Sequence, residues 1–288
     1  MVKLAAGLAA LSAVTGSGHS GTRPCGTLAR PPARWTHVVW IWMENASYDR
    51  IVGNPSARYV NQLAKGCGLA TNYSAITHPS LPNYLAATSG SDWGIADDNP
   101  PAAHPLAHAS IFSQVAAAGM TWRSFDESMP TSCALVSSGE YAVKHNPAAY
   151  YTDIRRVCKR WDIPLSGLRL DRLPSFSFVT PNLCDDMHDC SVAAGDAWLK
   201  RWVTRIVTSS AYTSATTALF VTFDEGDGSS NRVATIVVSP ATPPGTRAHA
   251  AFDHYSLLKT TEQMLGISTY LGHANDRSTR SMRPAFHL

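Results

Sequence analysis

The chain carries little charge and, after its first residues, no long apolar run. Only 16% of its 288 residues are Asp, Glu, Lys or Arg, and the net charge is +3. No block of lysines and arginines with interleaved aromatics is read in it, which argues against nucleic acid as a partner and against a polybasic membrane segment. Beyond residue 14 nothing approaches the roughly 18 uninterrupted apolar residues of a membrane span, so stable membrane insertion is not expected. The six cysteines, Cys25, Cys67, Cys133, Cys158, Cys184 and Cys190, form no C-x-x-C pair and no zinc-finger spacing. No repeat or heptad is visible, which excludes solenoids and coiled coils. There is also no G-x-S-x-G elbow, so a protease-type serine triad is disfavoured.

What is present describes a globular protein. Hydrophobic residues make up 44% of the chain, enough for a sizeable core, and the length suits one large α/β domain. Met1-Val2-Lys3, an alanine-rich apolar stretch from Leu4 to Val14 and then Thr15-Gly16-Ser17-Gly18 read as a secretion signal. The expected organisation is a signal over residues 1–20, an exposed lead-in over 21–36 and a single domain over 37–288, with the product secreted. An even cysteine count fits three disulfides in an oxidising compartment. Six cysteines allow 15 connectivities. Order along the chain suggests Cys25–Cys67, Cys133–Cys158 and Cys184–Cys190.

Strands and polar clusters alternate. His37 to Met43 is an almost continuous β-branched and aromatic run, as expected of a strand buried on both faces, and it ends in Glu44-Asn45. Ser175 to Thr180 is a second such strand, followed by Asn182, Asp185, Asp186, His188 and Asp189. Ala218 to Phe223 is a third, ending in Asp224-Glu225-Gly226, and Ala234 to Ser239 a fourth. Helices are expected between them, at Leu81–Thr88, Ile111–Ala118 and Val192–Ser209, and after Asp253-His254. This alternation predicts an α/β fold with a mostly parallel central sheet and helices on both faces. In such a sheet the strand exits meet at one edge, where ligands bind.

Thr77-His78-Pro79-Ser80-Leu81-Pro82-Asn83-Tyr84 is the remaining chemical signal. Ser80 at the start of a short helix reads either as an ordinary N-cap or as a nucleophile beside unpaired backbone N–H groups and the positive end of the helix dipole. Convergence with the strand exits favours the nucleophile. Hard oxygens from Glu44, Asn45, Asp224 and Glu225 suit one divalent cation, which would also touch Ser80. Asn83 could aim its amide at a phosphoryl oxygen, and His145, His188 and His254 could supply donors, ligands or a proton for the leaving group.

Taken in order, Met43-Glu44-Asn45-Ala46-Ser47-Tyr48-Asp49, the serine segment, Lys144-His145-Asn146-Pro147, Pro181 to His188 and Phe223-Asp224-Glu225-Gly226 resemble the bacterial phosphoesterase family. That family includes secreted acid phosphatases, phosphatidylinositol-phosphate phosphatases and non-haemolytic phospholipases C, on the alkaline phosphatase-like fold. The resemblance implies that Ser80 is the nucleophile and that Glu44, Asn45, Asp224 and Glu225 bind metal. It implies that His145, His188, His254 and Asn182 line the phosphate or a partial second metal site. Asn45 and Asn182 stand where a two-metal relative would carry Asp, so one metal of unknown identity is expected. Tyr84 in place of the sulfatase arginine argues against a sulfatase. The expected activity is phosphomonoester hydrolysis through a phosphoserine. A phospholipase C-type diesterase is the alternative, and a non-catalytic phosphate-binding protein a remote one.

Overall fold

The structure is a computed structural model that describes residues 23–228 and 230–288. The expected signal over residues 1–20 lies outside the described residues.

Ten strands organise the described chain: β1 (His37–Met43), β2 (Gly68–Ala70), β3 (Tyr73–Ser74), β4 (Trp122–Asp126), β5 (Asp162–Pro164), β6 (Phe176–Thr180), β7 (Thr217–Phe223), β8 (Thr235–Val238), β9 (Thr246–Ala248) and β10 (Phe252–Asp253). Eight form one sheet in the order β5-β4-β6-β1-β7-β8-β2-β9, and β3 and β10 pair separately. The five strands from β5 to β7 run parallel, as the sequence predicts. The fourth expected strand, β8, is antiparallel to β7 and to β2. The reason is its connection: residues 224–234 are too few for the crossover a parallel return requires.

β1 and β7 are central because their sequences leave no polar face. Every β7 side chain is buried, and every β1 side chain after His37. Trp40 meets Phe176 edge-on at 5.0 Å, and Trp42 stacks on Phe178 at 5.5 Å. Burying side chains of this size stabilises the sheet by about 1.5–3 kcal/mol each. Helices flank the sheet, the longest being Val192–Val207.

All six cysteines are paired, as Cys25–Cys67, Cys133–Cys158 and Cys184–Cys190. Register then places the chemistry. Met43 pairs with Phe223 across β1 and β7, and Ile41 with Val179 across β1 and β6. Glu44, Asp224 and the Asn182–Asp189 loop therefore leave the same sheet edge.

Candidate active site

Ser80 is the first residue of a helix spanning Ser80–Ser89, with Pro79 as its N-cap and Gly90, in the left-handed region, as its C-cap. The serine does not cap the helix. Its hydroxyl donates instead to Glu44 Oε2 at 3.0 Å, a charge-assisted bond to a buried carboxylate. Ser80 is 1% exposed and Glu44 fully buried.

Glu44 has two further partners. The Tyr84 hydroxyl donates to its other oxygen, and His145 Nε2 lies 3.2 Å from that same oxygen. Tyr84 stands one helical turn after Ser80, so both hydroxyls reach Glu44 from one face. Burial opposes ionisation, but His145 and these hydrogen bonds outweigh it and hold Glu44 down at about 2. His145 is correspondingly pushed up to about 9, against its burial, by Glu44 and by Asp186, whose Oδ2 lies 3.4 Å from Nδ1. Its ring stacks on Tyr84 at 5.4 Å, yet Nε2 has no well-aligned acceptor. A buried imidazolium with an uncommitted N–H is suited to an anion.

The β7 exit brings Asp224 and Glu225. Asp224 Oδ1 accepts the backbone N–H of Asn45 at 3.0 Å. Asn45 has φ 27°, an unusual conformation that Asn tolerates better than most residues. Gly226 lets this loop close, since a Cβ there would run into the Ser230 carbonyl. Asn231 ties the loop to the serine segment, accepting from Gly226 N at 2.8 Å and donating to the Thr77 carbonyl at 2.9 Å.

Asn45 Oδ1 and Asp224 Oδ2 are buried and unpartnered among the described residues. Burial and the neighbouring charges of Glu44 and Glu225 push Asp224 well above the usual carboxylate range. Burial, then Glu44 and Asp98, push Glu225 up to about 8. Orphaned oxygens among mutually repelling carboxylates are a donor set that fits a divalent cation. Among the described residues no three His, Cys, Asp or Glu side chains alone could close round an ion. Such a site would depend on the neutral oxygens of Asn45 and Ser80.

The other expected residues have more particular surroundings. Asn83 is fully engaged. Its Oδ1 accepts from Ile76 N and Thr77 N, each at 3.0 Å, and its amide donates to the Thr77 and Pro79 carbonyls and to Glu225 at 3.4 Å. In this geometry it shapes the serine loop rather than pointing at a phosphate. Asn182 likewise accepts from Cys184 N and Asp185 N and donates to Ser128 and Glu140. His254 is buried, with Nε2 on the Asp224 carbonyl at 2.7 Å and Nδ1 on the Tyr73 hydroxyl at 3.0 Å. It backs the β7 exit. His188 is half-exposed, its Nδ1 on Asp189 at 2.6 Å and its ring 6.2 Å from that of His145.

Sequence reasoning missed four participants. Tyr84 and Asp186 fix Glu44 and His145. His78 Nδ1 sits 2.8 Å from Glu225. Asp98 accepts Leu81 N at 2.9 Å and holds Lys144 Nζ at 3.0 Å. The helical spacing of Tyr84 from Ser80 was the one signal available; the other three contacts are tertiary.

Residues 55–268 match the model of the Phosphoesterase family. The chain is 36% identical over 239 residues to a phosphatidylinositol-3-phosphatase of Mycobacterium tuberculosis, covering 81% of this chain and 78% of that one. It is 28% identical over 247 residues to an acid phosphatase of Aspergillus fumigatus, covering 79% of this chain and 54% of that one. Among solved structures, an alkaline phosphatase superfamily protein from Vibrio parahaemolyticus superposes with a TM-score of 0.60 at 11% identity, covering 89% and 72% of the two chains. A phosphonate monoester hydrolase from Silicibacter pomeroyi gives 0.55 at 12%, covering 88% and 76%. At such identity these two speak for the fold alone. The chain belongs to the phosphoesterase family and is a phosphoric ester hydrolase on the alkaline phosphatase-like fold.

Proposed function

We propose that this protein is a secreted, metal-dependent phosphomonoesterase that works through a phosphoserine on Ser80, with phosphatidylinositol phosphates among its substrates. The observation that carries the reading is the buried Ser80 hydroxyl on Glu44, at a helix start, beside the unpartnered oxygens of Asn45 and Asp224. The 36% identity to a phosphatidylinositol-3-phosphatase supports the substrate class. Three disulfides support an oxidising, extracellular destination.

A divalent cation held by Glu44, Asn45, Asp224, Glu225 and Ser80 would acidify the seryl hydroxyl and offset phosphoryl charge. Glu44 fixes the hydroxyl so that its lone pair faces the incoming phosphorus. Ser80 Oγ passes its proton to Glu44 Oε2, which returns it when the serine is released, and forms the new P–O bond as the ester P–O bond breaks. Protonated His145 donates Nε2–H to a phosphoryl oxygen, where charge develops. His188, the accessible imidazole, gives its proton to the departing alcohol, and Asp189 orients its ring. Water then attacks the phosphoserine with His188 as base, the Ser80–phosphorus bond breaks, and inorganic phosphate leaves.

The test is a substrate panel on the purified protein and its Ser80→Ala variant: p-nitrophenyl phosphate, a phosphoinositide and phosphatidylcholine. Phosphate release from the first two, lost in the variant with the fold intact, is expected. Diacylglycerol from phosphatidylcholine without phosphate from monoesters would replace this reading with a phospholipase C-type diesterase. Turnover unaffected by Ser80→Ala would remove the phosphoserine.

A further inference from the structure

Four large hydrophobic side chains are exposed among the described residues, and three of them gather at one disulfide. Leu135 and Val136 lie just after Cys133, and Val157 lies just before its partner Cys158. Val136 is 67% exposed, which leaves apolar surface in water. The tip from Ser132 to Gly139 has no charged residue at all. Around the other half of the disulfide the opposite holds. Arg156, Lys159 and Arg160 are exposed within one turn of each other.

These cations are not neutralised internally. Arg160 and Arg123 both lie over the Trp161 ring, 5.2 and 3.9 Å from its centre. They also line a cleft of about 280 Å³ with Arg169 and Arg172. Of these basic side chains, only Arg169 pairs with a carboxylate among the described residues, Asp171 at 3.3 Å. Burial and the charge of Arg160 push Arg123 below its ordinary range. Crowded cations of which only Arg169 has a carboxylate partner are stabilised by an external anion. Apolar knobs beside a cationic belt match a surface that presents anionic headgroups above an acyl interior.

The patch is also joined to the site wall. The same loop reaches Glu140, whose carboxylate accepts from Asn182 at 2.9 Å and whose carbonyl accepts Leu183 N at 3.0 Å. It then runs directly into Val143–His145. The Cys133–Cys158 bond brings the apolar tip and the basic turn together.

We propose that Leu135, Val136 and Val157, with Arg156, Lys159 and Arg160, form a peripheral docking surface for anionic membranes. It would hold the protein on the bilayer that carries the substrate. The inference draws its purpose from the phosphoinositide reading, but the binding does not require turnover.

The experiment is sedimentation of the full chain with vesicles of phosphatidylcholine alone or with phosphatidylserine, alongside p-nitrophenyl phosphate turnover. Binding is expected only to the anionic vesicles and should weaken with salt. Arg156→Gln/Lys159→Gln/Arg160→Gln should weaken it about a hundredfold, since each cation near such a surface contributes roughly fivefold. Leu135→Ser/Val136→Ser should weaken it without changing its salt dependence. Both variants should keep wild-type p-nitrophenyl phosphate turnover. Equal binding to neutral and anionic vesicles, no binding to either, or wild-type binding by the triple variant would overturn the proposal. Sedimentation without lipid would also overturn it, pointing to self-association. Vesicle binding by a protein with no monoesterase activity would leave the docking surface standing and remove the functional reading; the reverse result would do the opposite.

Discussion

Ser80 Oγ and Glu44 Oε2 are 3.0 Å apart although 36 residues separate them. The contact joins the exit of the central strand to the start of the helix that carries Ser80. Glu44 thus does three things at once: it orients the hydroxyl, anchors Tyr84 and keeps His145 protonated. A change at any of its partners should therefore be read at the others.

Tyr84→Phe tests this coupling. The substitution keeps the ring that packs against Trp42 at 5.5 Å and on His145 but removes one donor from a buried carboxylate. A hydrogen bond to a charged group contributes about 1.5–3 kcal/mol. Denaturant unfolding should show a loss of that size, with turnover reduced through Glu44. Unchanged stability would mean that Glu44 does not need the phenol.

His254 should be neutral and fixed in one tautomer. The Asp224 carbonyl can only accept, so Nε2 carries the proton and Nδ1 accepts from Tyr73. Complete burial pushes the ring down to about 4. Imidazole NMR signals of His254 should show the Nε2–H form with no titration between pH 5 and 8. A midpoint in that range would contradict the arrangement.

Much of this was readable in advance, for identifiable reasons. β1, β6 and β7 announce themselves because strands buried on both faces need continuous apolar sequence, and their exits are abrupt. β2, β5 and β9, three residues each, are too short to show any period. The polar residues that would be catalytic were legible as residue types but not as partners. Nothing near Asn83 or Asn182 in sequence shows that their amides are consumed by loop backbone. Taken alone, the Ser80 segment reads equally well as a helix cap, because Glu44, which takes its hydroxyl, arrives from another element.

Asp126 and Asp162 make stability depend on pH through a buried acid pair that does not touch Ser80. Both are buried on adjacent strands, and Asn146 donates to both oxygens of Asp162, at 3.0 and 3.1 Å. Burial raises both groups, Asp162 to about 7, and the charge of Asp162 raises Asp126 further. An acid with a raised folded pKa contributes stability fully below its unfolded value near 4, which is lost as pH rises through the folded one. Wild-type stability should therefore fall from about pH 4 to above pH 7. Asp126→Asn removes the repulsion while leaving Ser124 Oγ an acceptor. It should be more stable than wild type at neutral pH and equal to it below about pH 4, measured by urea unfolding across pH.

The disulfides should differ in value with the loops they close. Cys25–Cys67 spans 42 residues and Cys184–Cys190 only 6. On a chain-entropy basis their removal costs about 4 and about 2 kcal/mol respectively. Paired Cys→Ala variants should rank in that order by thermal unfolding. The smaller bridge closes the His188 loop, so its loss should lower turnover more than stability. The reverse ranking would show that native contacts, not loop closure, dominate.

Cation binding should release protons. Without a cation, burial and then the charge of Glu44 push Asp224 well above the usual carboxylate range, and Glu225 is pushed up to about 8. A bound divalent ion needs both ionised, so at pH 7 its arrival should free up to about two protons. Calorimetric titration with Mg²⁺ or Zn²⁺ in two buffers of different ionisation enthalpy would count them. Affinity should rise with pH, and the count should fall as pH passes 8. Glu225→Gln should lower the count at pH 7 by about one. Equal heats in both buffers would mean that the carboxylates are already ionised and that the site is not the one described by Glu44, Asn45, Asp224 and Glu225.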